Sequence, residues 1–204
     1  ESLKSYNKSL EIKKNLGAEE SLPYAETLSN LAALLRYQKK YDEALKLNEN
    51  AQKLKEKLGL QKSKTYALSV SNAGIILCDK KDYTSGLKKF ERSAAILESV
   101  HLENTEDYAR VVANTGYAYA LLDDNDNAIT QLQKAQSIRK DILKTETEEY
   151  ADISIKLAKC YSAIDKNCAA LTEAKKGISL KKKFGTVLNS DVNLLAELEG
   201  MCAE

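Results

Sequence analysis

Residues 22–60 read LPYAETLSNLAALLRYQKKYDEALKLNENAQKLKEKLGL, and this stretch decides the fold because its pattern returns three more times. Its Tyr24-Ala25 dipeptide recurs as Tyr66-Ala67, Tyr108-Ala109 and Tyr150-Ala151, each step 42 residues with no gap. Other columns keep the same register. Asn30, Asn72 and Asn114 share one, with Lys156 in fourth place. Ala32, Gly74, Gly116 and Ala158 share another, and Ala44, Gly86, Ala128 and Ala170 a third. Ala51, Ser93, Ala135 and Gly177 follow, as do the aliphatic columns headed by Leu45 and Leu54. A period in this range marks a stacked repeat architecture, in which no single unit can bury its own apolar face. Gly, Ala and Ser at fixed places let two helices approach closely, and large aliphatic side chains fill the space between them.

Each repeat divides into two helices. Tyr24, Leu28, Leu31 and Leu35 fall on one helical face, which predicts helix A from Pro23 to Gln38. Pro23 is harmless in a first turn, where its missing N–H has no intrahelical acceptor. Lys39 and Lys40 form a turn, and helix B runs from Tyr41 to Leu58 with Ala44, Leu45, Ala51, Leu54 and Leu58 inward. Gly59 closes it, as Gly17 and Gly185 close theirs, by accepting a left-handed conformation. Ser63, Asn104 or Thr105, and Thr145 are the candidate N-caps of later hairpins, and Thr145 with Glu148 has capping-box spacing. Extending the register in both directions gives a single array. Residues 1–20 are helix B of a partial repeat. Four full repeats follow at 21–62, 63–104, 105–146 and 147–188, and 189–204 are helix A of another partial repeat. The cut repeats and the initial Glu1 imply a piece of a longer chain, with ends that lack a polar cap and could associate.

Composition agrees with an all-α chain. Of 204 residues one is Pro, eight are Gly and none is Trp. The formal net charge of +1 gives no bulk reason to expect nucleic acid or an anionic membrane as partner. No apolar run is long enough to span a bilayer. Cys78, Cys160, Cys168 and Cys202 match neither a zinc site nor a small disulfide framework, and read as thiols in a reducing, cytoplasmic compartment. His101 stands alone, so no Ser/His/Asp or Cys/His constellation can be assembled; no catalytic residue, metal or cofactor is expected. Asp123–Asn127 lacks the Gly and terminal Glu of a calcium loop and reads as a turn. Lys181, Lys182 and Lys183 read as a solvated helix end. The carboxylates read as exposed, with ordinary acidity.

These columns resemble the tetratricopeptide repeat, in its longer form found in kinesin light chains. The carrying residues are Pro23, Tyr24-Ala25, Asn30-Leu31-Ala32, Tyr41 with Ala44, and Leu58-Gly59. The resemblance covers essentially the whole chain. Departures are concentrated in the A–B turn, where Lys39, Lys81, Asp123 and Asp165 stand in place of Gly, and in Asn125 and Asn167, which replace the aromatic opening helix B. The resemblance implies a right-handed α-solenoid of antiparallel helix hairpins. Its concave groove would hold an extended segment of a partner or cargo protein.

Helical geometry picks out the groove residues, since positions 26, 30, 33 and 37 and their equivalents lie opposite the core stripe at ~100° per residue. Asn is a mediocre helix former in mid-helix, yet Asn30, Asn72 and Asn114 recur there. A side-chain amide can donate to and accept from a peptide backbone at once. Ile75 and Tyr117 offer apolar or aromatic surface on the same face, where Tyr37 also falls. Arg36, Arg110, Lys156 and Lys159 give it a slight basic excess over Glu26, Asp79 and Asp152, which points to an acidic or C-terminal segment as ligand. The carboxylate clamp of chaperone-binding family members is absent, with Leu68 and Asp152 where that clamp needs Lys. The competing expectations are a spacer whose groove is filled by its own flanking segments, and the regulatory arm of a larger protein.

Overall fold

The computed structural model describes residues 2–143 and 147–202, and among them there are ten α-helices and no strand. The helices are α1 (Ser2–Asn15), α2 (Leu22–Tyr37), α3 (Tyr41–Lys57), α4 (Lys64–Asp79), α5 (Tyr83–Ser99), α6 (Glu106–Leu121), α7 (Asn125–Leu143), α8 (Glu148–Ala163), α9 (Asn167–Phe184) and α10 (Asn189–Met201). They form two compact units, residues 1–103 and 104–204. In the first, α2 pairs with α3 and α4 with α5; α1 packs on α2, and α3 on α4. In the second, α6 pairs with α7 and α8 with α9; α7 packs on α8, and α10 rests on α9 and α8.

The starts of the A helices repeat chemically as well as spatially. Ser21, Ser63, Thr105 and Thr147 are extended, and each hydroxyl accepts from the N–H three residues on, at Tyr24, Tyr66, Tyr108 and Tyr150. The cap of α8 is therefore Thr147; Thr145 lies outside the described residues. The helix ends repeat too. After each A helix the chain turns left-handed at a non-glycine residue: Lys39, Lys81, Asp123 or Asp165. The following N–H then reaches back to the third-last carbonyl of the helix, as in Lys40 N to Leu35 O at 2.9 Å and Asp82 N to Leu77 O at 2.9 Å.

Gly17, Gly59 and Gly185 do the same after B helices, and His101 occupies the equivalent place with φ 57°. That explains its isolation in the sequence: it fills a glycine position, with its side chain exposed. A left-handed non-glycine residue costs ~1–2 kcal/mol, partly offset by the entropy glycine loses on folding. His101→Gly is therefore expected to stabilise the chain by about 0.5–1 kcal/mol, read as a higher midpoint in urea unfolding. An unchanged or lower midpoint would count against the turn.

The core is built where the small columns meet. A Cβ at Gly74 would lie 2.7 Å from Phe90 Cε1 and 3.0 Å from Gly86 O; one at Gly86 would lie 3.0 Å from Gly74 O. Thus α4 and α5 touch backbone to backbone. In the second unit a Cβ at Gly116 would meet Leu132 Cγ at 2.7 Å, and one at Gly177 would meet Ile155 Cδ1 at 2.9 Å. Ser93 keeps its column small and donates to Ala67 O at 2.7 Å. Cations from the B helices meet the tyrosine column: Arg92 Nη2 donates to Tyr66 Oη at 2.8 Å, Lys134 Nζ donates to Tyr108 Oη at 2.6 Å, and Lys176 Nζ lies 4.5 Å from the Tyr150 ring centre. These cations are also spaced by 42 residues, and Asn50 stands in their place in the first repeat, where Tyr24 is less buried. Leu58 is not inward: it is 37% exposed, because α3 has ended at Lys57.

The cysteine expectation fails for one pair. Cys168 near the start of α9 and Cys202 after α10 form a disulfide, with Cα atoms 5.2 Å apart. Their sequence separation of 34 gives no local signal; the fold brings them together by laying α10 along α9. Cys78 and Cys160 are free thiols. Burial pushes Cys78 up to about 11, helped by Asp79 and Asp82, and burial raises Cys160 against the opposing charge of Lys156. The lysine run at the end of α9 also differs from expectation: Lys182 and Lys183 are exposed, but Lys181 is buried, at 2.8 Å from Asp152 and 3.3 Å from Asp191. Asp191 is likewise buried, so not every carboxylate lies on a solvated face.

Candidate functional site

In the first unit α2 and α4 run side by side, because α2 packs on α4 as well as on α3. The helical period that buries Leu28, Leu31 and Leu35 turns Asn30 outward, and the same period on α4 brings Asn72 to the corresponding place. Between them lies an open cavity of about 330 Å³. Glu26, Ser29 and Asn30 line it from α2, Lys55 from α3, and Thr65, Leu68, Ser69 and Asn72 from α4. Asn30 is exposed and Asn72 half-buried. Among the described residues neither side-chain amide makes a hydrogen bond, so neither is committed to local structure.

Other candidates of this unit lie apart from that cavity. Arg36 stands 3.7 Å from Asp79 and 4.4 Å from the Tyr37 ring, so it is held at the C-terminal ends of α2 and α4. Tyr37 is 74% exposed. Ile75, expected on an open face, is partly covered.

In the second unit α6 carries Arg110, Asn114 and Tyr117, and α8 carries Lys156 and Lys159. Tyr117 and Lys156 meet, with the ammonium 5.7 Å from the ring centre. Tyr117 is partly covered rather than exposed, and burial, with Asp152 acting in the same direction, raises its phenol well above the ordinary tyrosine range. Burial lowers the Lys156 ammonium. Arg110 is exposed and pairs with Asp107 at 2.6 Å; Lys159 is exposed. Asn114 is half-buried, and among the described residues its amide too makes no hydrogen bond.

Sequence reasoning missed a column on the B helices. Lys13, Lys55, Leu97, Arg139 and Lys181 are spaced by 42 residues. Lys55 Nζ donates to Thr65 O at 2.9 Å and to Ser69 Oγ. Asn48 Nδ2 donates to Ser69 O at 2.8 Å, and Gln52 Nε2 to the same carbonyl at 3.3 Å. Burial lowers the Lys55 ammonium, with Glu26 opposing. Arg139 reaches Glu149 at 3.7 Å, while its Nε and Nη1 have no hydrogen-bond partner. The register itself could have exposed this column, since all but one member are cationic.

Among the described residues no group of three or more His, Cys, Asp or Glu side chains could hold a metal ion, and no helix is long and apolar enough to cross a membrane.

The tetratricopeptide-repeat profile matches residues 1–57 and 66–141. Among solved structures the chain is similar to a Podosopora anserina kinesin-light-chain-type protein of nearly identical TPR-like repeats. The identity is 14%, the TM-score 0.74, and the match covers 90% of this chain and 89% of that one. It is also similar to BtubC (BKLC) from P. vanneervenii, at 19% identity and a TM-score of 0.72, covering 80% of this chain and 65% of that one. The apo form of RapI gives 19% identity and a TM-score of 0.72, covering 89% of this chain and 48% of that one. The chain thus spans about two thirds or less of the length of two of these three. Identities this low speak to fold alone. No curated protein matches the sequence.

Proposed function

The chain belongs to the tetratricopeptide-repeat family of protein-interaction scaffolds, and from that premise we propose that it holds an extended peptide segment of a partner against the faces carrying the recurring asparagines. The observation that carries this reading is the pair Asn30 and Asn72. Two mid-helix amides of low helix propensity, one repeat apart, line one open cavity and spend no hydrogen bond on their own chain. Each offers an acceptor and two donors, the complement of a peptide group. A backbone gripped in this way is recognised without regard to most of its side chains, and specificity is left to the groups between the amides.

In the second unit Asn114 offers the same amide, with Arg110, Tyr117, Lys156 and Lys159 beside it as a basic and aromatic surface for an acidic segment. Arg36, Tyr37 and Ile75 would extend contacts in the first unit. The chemistry of binding fits a non-catalytic role.

The test uses peptides selected on the whole chain from a displayed random library. With Asn30→Ala and Asn72→Ala combined, calorimetric affinity is expected to fall about tenfold, near the loss of one or two hydrogen bonds. Thermal unfolding should stay nearly unchanged, since neither amide supports the fold. Affinity equal to the parent's would contradict the reading.

A further inference from the structure

Lys55 is a buried cation with no carboxylate in direct contact. Two of its register equivalents have carboxylates beside them, Lys181 with Asp152 and Asp191 and Arg139 with Glu149, while the less buried Lys13 donates to the hydroxyls of Ser9 and Thr27. Leu97, fully buried at the same position of another repeat, shows that the hairpin packs there without any charge. Lys55 is 2% exposed and meets only neutral oxygens, the Thr65 carbonyl and the Ser69 hydroxyl. Among the described residues no carboxylate lies within 4.0 Å of it; Glu26, on the rim of the same cavity, acts on it only at longer range. An ammonium has three protons, and two are spent. Its partner Ser69 is already crowded: Asn48 and Gln52 donate to its carbonyl, and Ser29 Oγ lies 3.2 Å from its hydroxyl. The third proton has the cavity between Asn30 and Asn72 to turn to.

We propose that this cavity receives an acidic side chain of the bound segment, its carboxylate meeting Lys55 Nζ while Asn30 and Asn72 hold the adjoining backbone. The inference rests on the peptide-binding reading and adds a residue preference to it. An incoming carboxylate supplies the charge that a desolvated ammonium lacks, and a charge-assisted hydrogen bond in a sheltered cleft is stronger than a neutral one. Glu26 works against the ligand: its own charge repels an acid entering past the rim. The site should therefore prefer an acid over its neutral amide, and the preference should grow when Glu26 is neutralised.

The direct probe is N-acetyl-glutamate N-methylamide, with the glutamine twin as control, titrated into the whole chain carrying carbon-labelled lysine and followed by NMR at Lys55. The glutamate compound is expected to shift the Lys55 signal saturably and to bind about tenfold more tightly than the glutamine compound. Glu26→Gln, an exposed change that cannot disturb packing, should tighten the glutamate compound further and leave the glutamine compound alone. Lys55→Met should abolish the difference between the two. A Lys55 signal that answers both compounds alike or neither, or a preference that persists in Lys55→Met, would overturn the proposal. If the acid preference appears but selected peptides ignore the Asn30 and Asn72 substitutions, the carboxylate site stands and the backbone-gripping reading is the part that fails.

Discussion

Replacing Gly74 with valine is expected to destabilise the first unit by about 3 kcal/mol, the upper part of the usual cost of overpacking. The first added atom already lies 2.7 and 2.9 Å from two ring atoms of Phe90, and 3.0 Å from Gly86 O. Phe90 is buried and cannot swing aside, and the carbonyl belongs to the backbone of the neighbouring helix. The only relief is to separate α4 from α5, which gives up close packing along the whole hairpin. Helix propensity works the other way, since glycine is poorer than valine in mid-helix, but that gain is only a few tenths of a kcal/mol. Gly200→Ala is the matched control. No atom lies within 4 Å of a Cβ there, so the propensity gain should appear alone, as a small stabilisation. Urea unfolding followed by circular dichroism decides the matter. A Gly74→Val chain as stable as its parent would mean that the small column does not mark a helix contact.

Asp191→Ala is expected to cost about 3 kcal/mol, in the range found when one partner of a buried ion pair is removed. Asp191 is 2% exposed and its carboxylate does two jobs. It stands 3.3 Å from Lys181 Nζ, and it accepts from Leu188 N at 3.1 Å, fixing the entry to α10. Its loss leaves the Lys181 ammonium buried with Asp152 alone. The measurement belongs in the reduced chain, where the Cys168–Cys202 bridge no longer ties α10 to α9. Lys181→Met with Asp191→Leu should recover much of the loss, because the double change removes both charges. Alkaline pH gives an independent check. Burial lowers the Lys181 amine, but the hydrogen bonds and charges of Asp152 and Asp191 outweigh it and raise the group above its usual 10.5. A raised folded value means the stabilisation is complete below 10.5 and is lost as pH climbs through the higher folded value. In Asp191→Ala that alkaline loss should shrink and end at a lower pH, because the folded value is raised less while the onset near 10.5 stays where it was. A parent chain with no alkaline loss beyond this range would contradict the ion-pair account.

The fold was legible because its information is repeated. A column of Gly, Ala and Ser at a constant interval has no other physical use than close helix approach, and the structure puts those residues at the helix crossings. The helix bounds of the first repeat agree to within a residue at each end. What escaped is of two kinds, contacts that are not repeated and columns whose role shows only in the backbone or on a neighbouring helix. Cys168 and Cys202 meet only because α10 lies against α9, and no spacing rule carries that information. Lys181 looked like a solvated terminus because its two carboxylates come from other helices. His101 looked merely superficial until its backbone showed it in a glycine's place.

The candidate site was read from the A helices, and its B-helix member was missed although the register carries a cationic column there. Asn30 and Asn72 follow from helical angle alone, and they do flank one cavity. Lys55 reaches that cavity from the next helix in the chain, along a stem long enough to hide its origin in a pattern drawn on one helix. Ile75 and Tyr117 were expected to be open and are partly covered, because each packs toward its neighbours as well as facing outward.

The most direct test of the account is to watch the asparagine amides while a segment binds. With a peptide selected on this chain, the side-chain amide NMR signals of Asn30 and Asn72 should move and gain protection from solvent exchange as binding saturates, while those of Asn50 on the B helix stay put. A peptide that saturates the chain and leaves both signals where they were would show that the segment is held elsewhere.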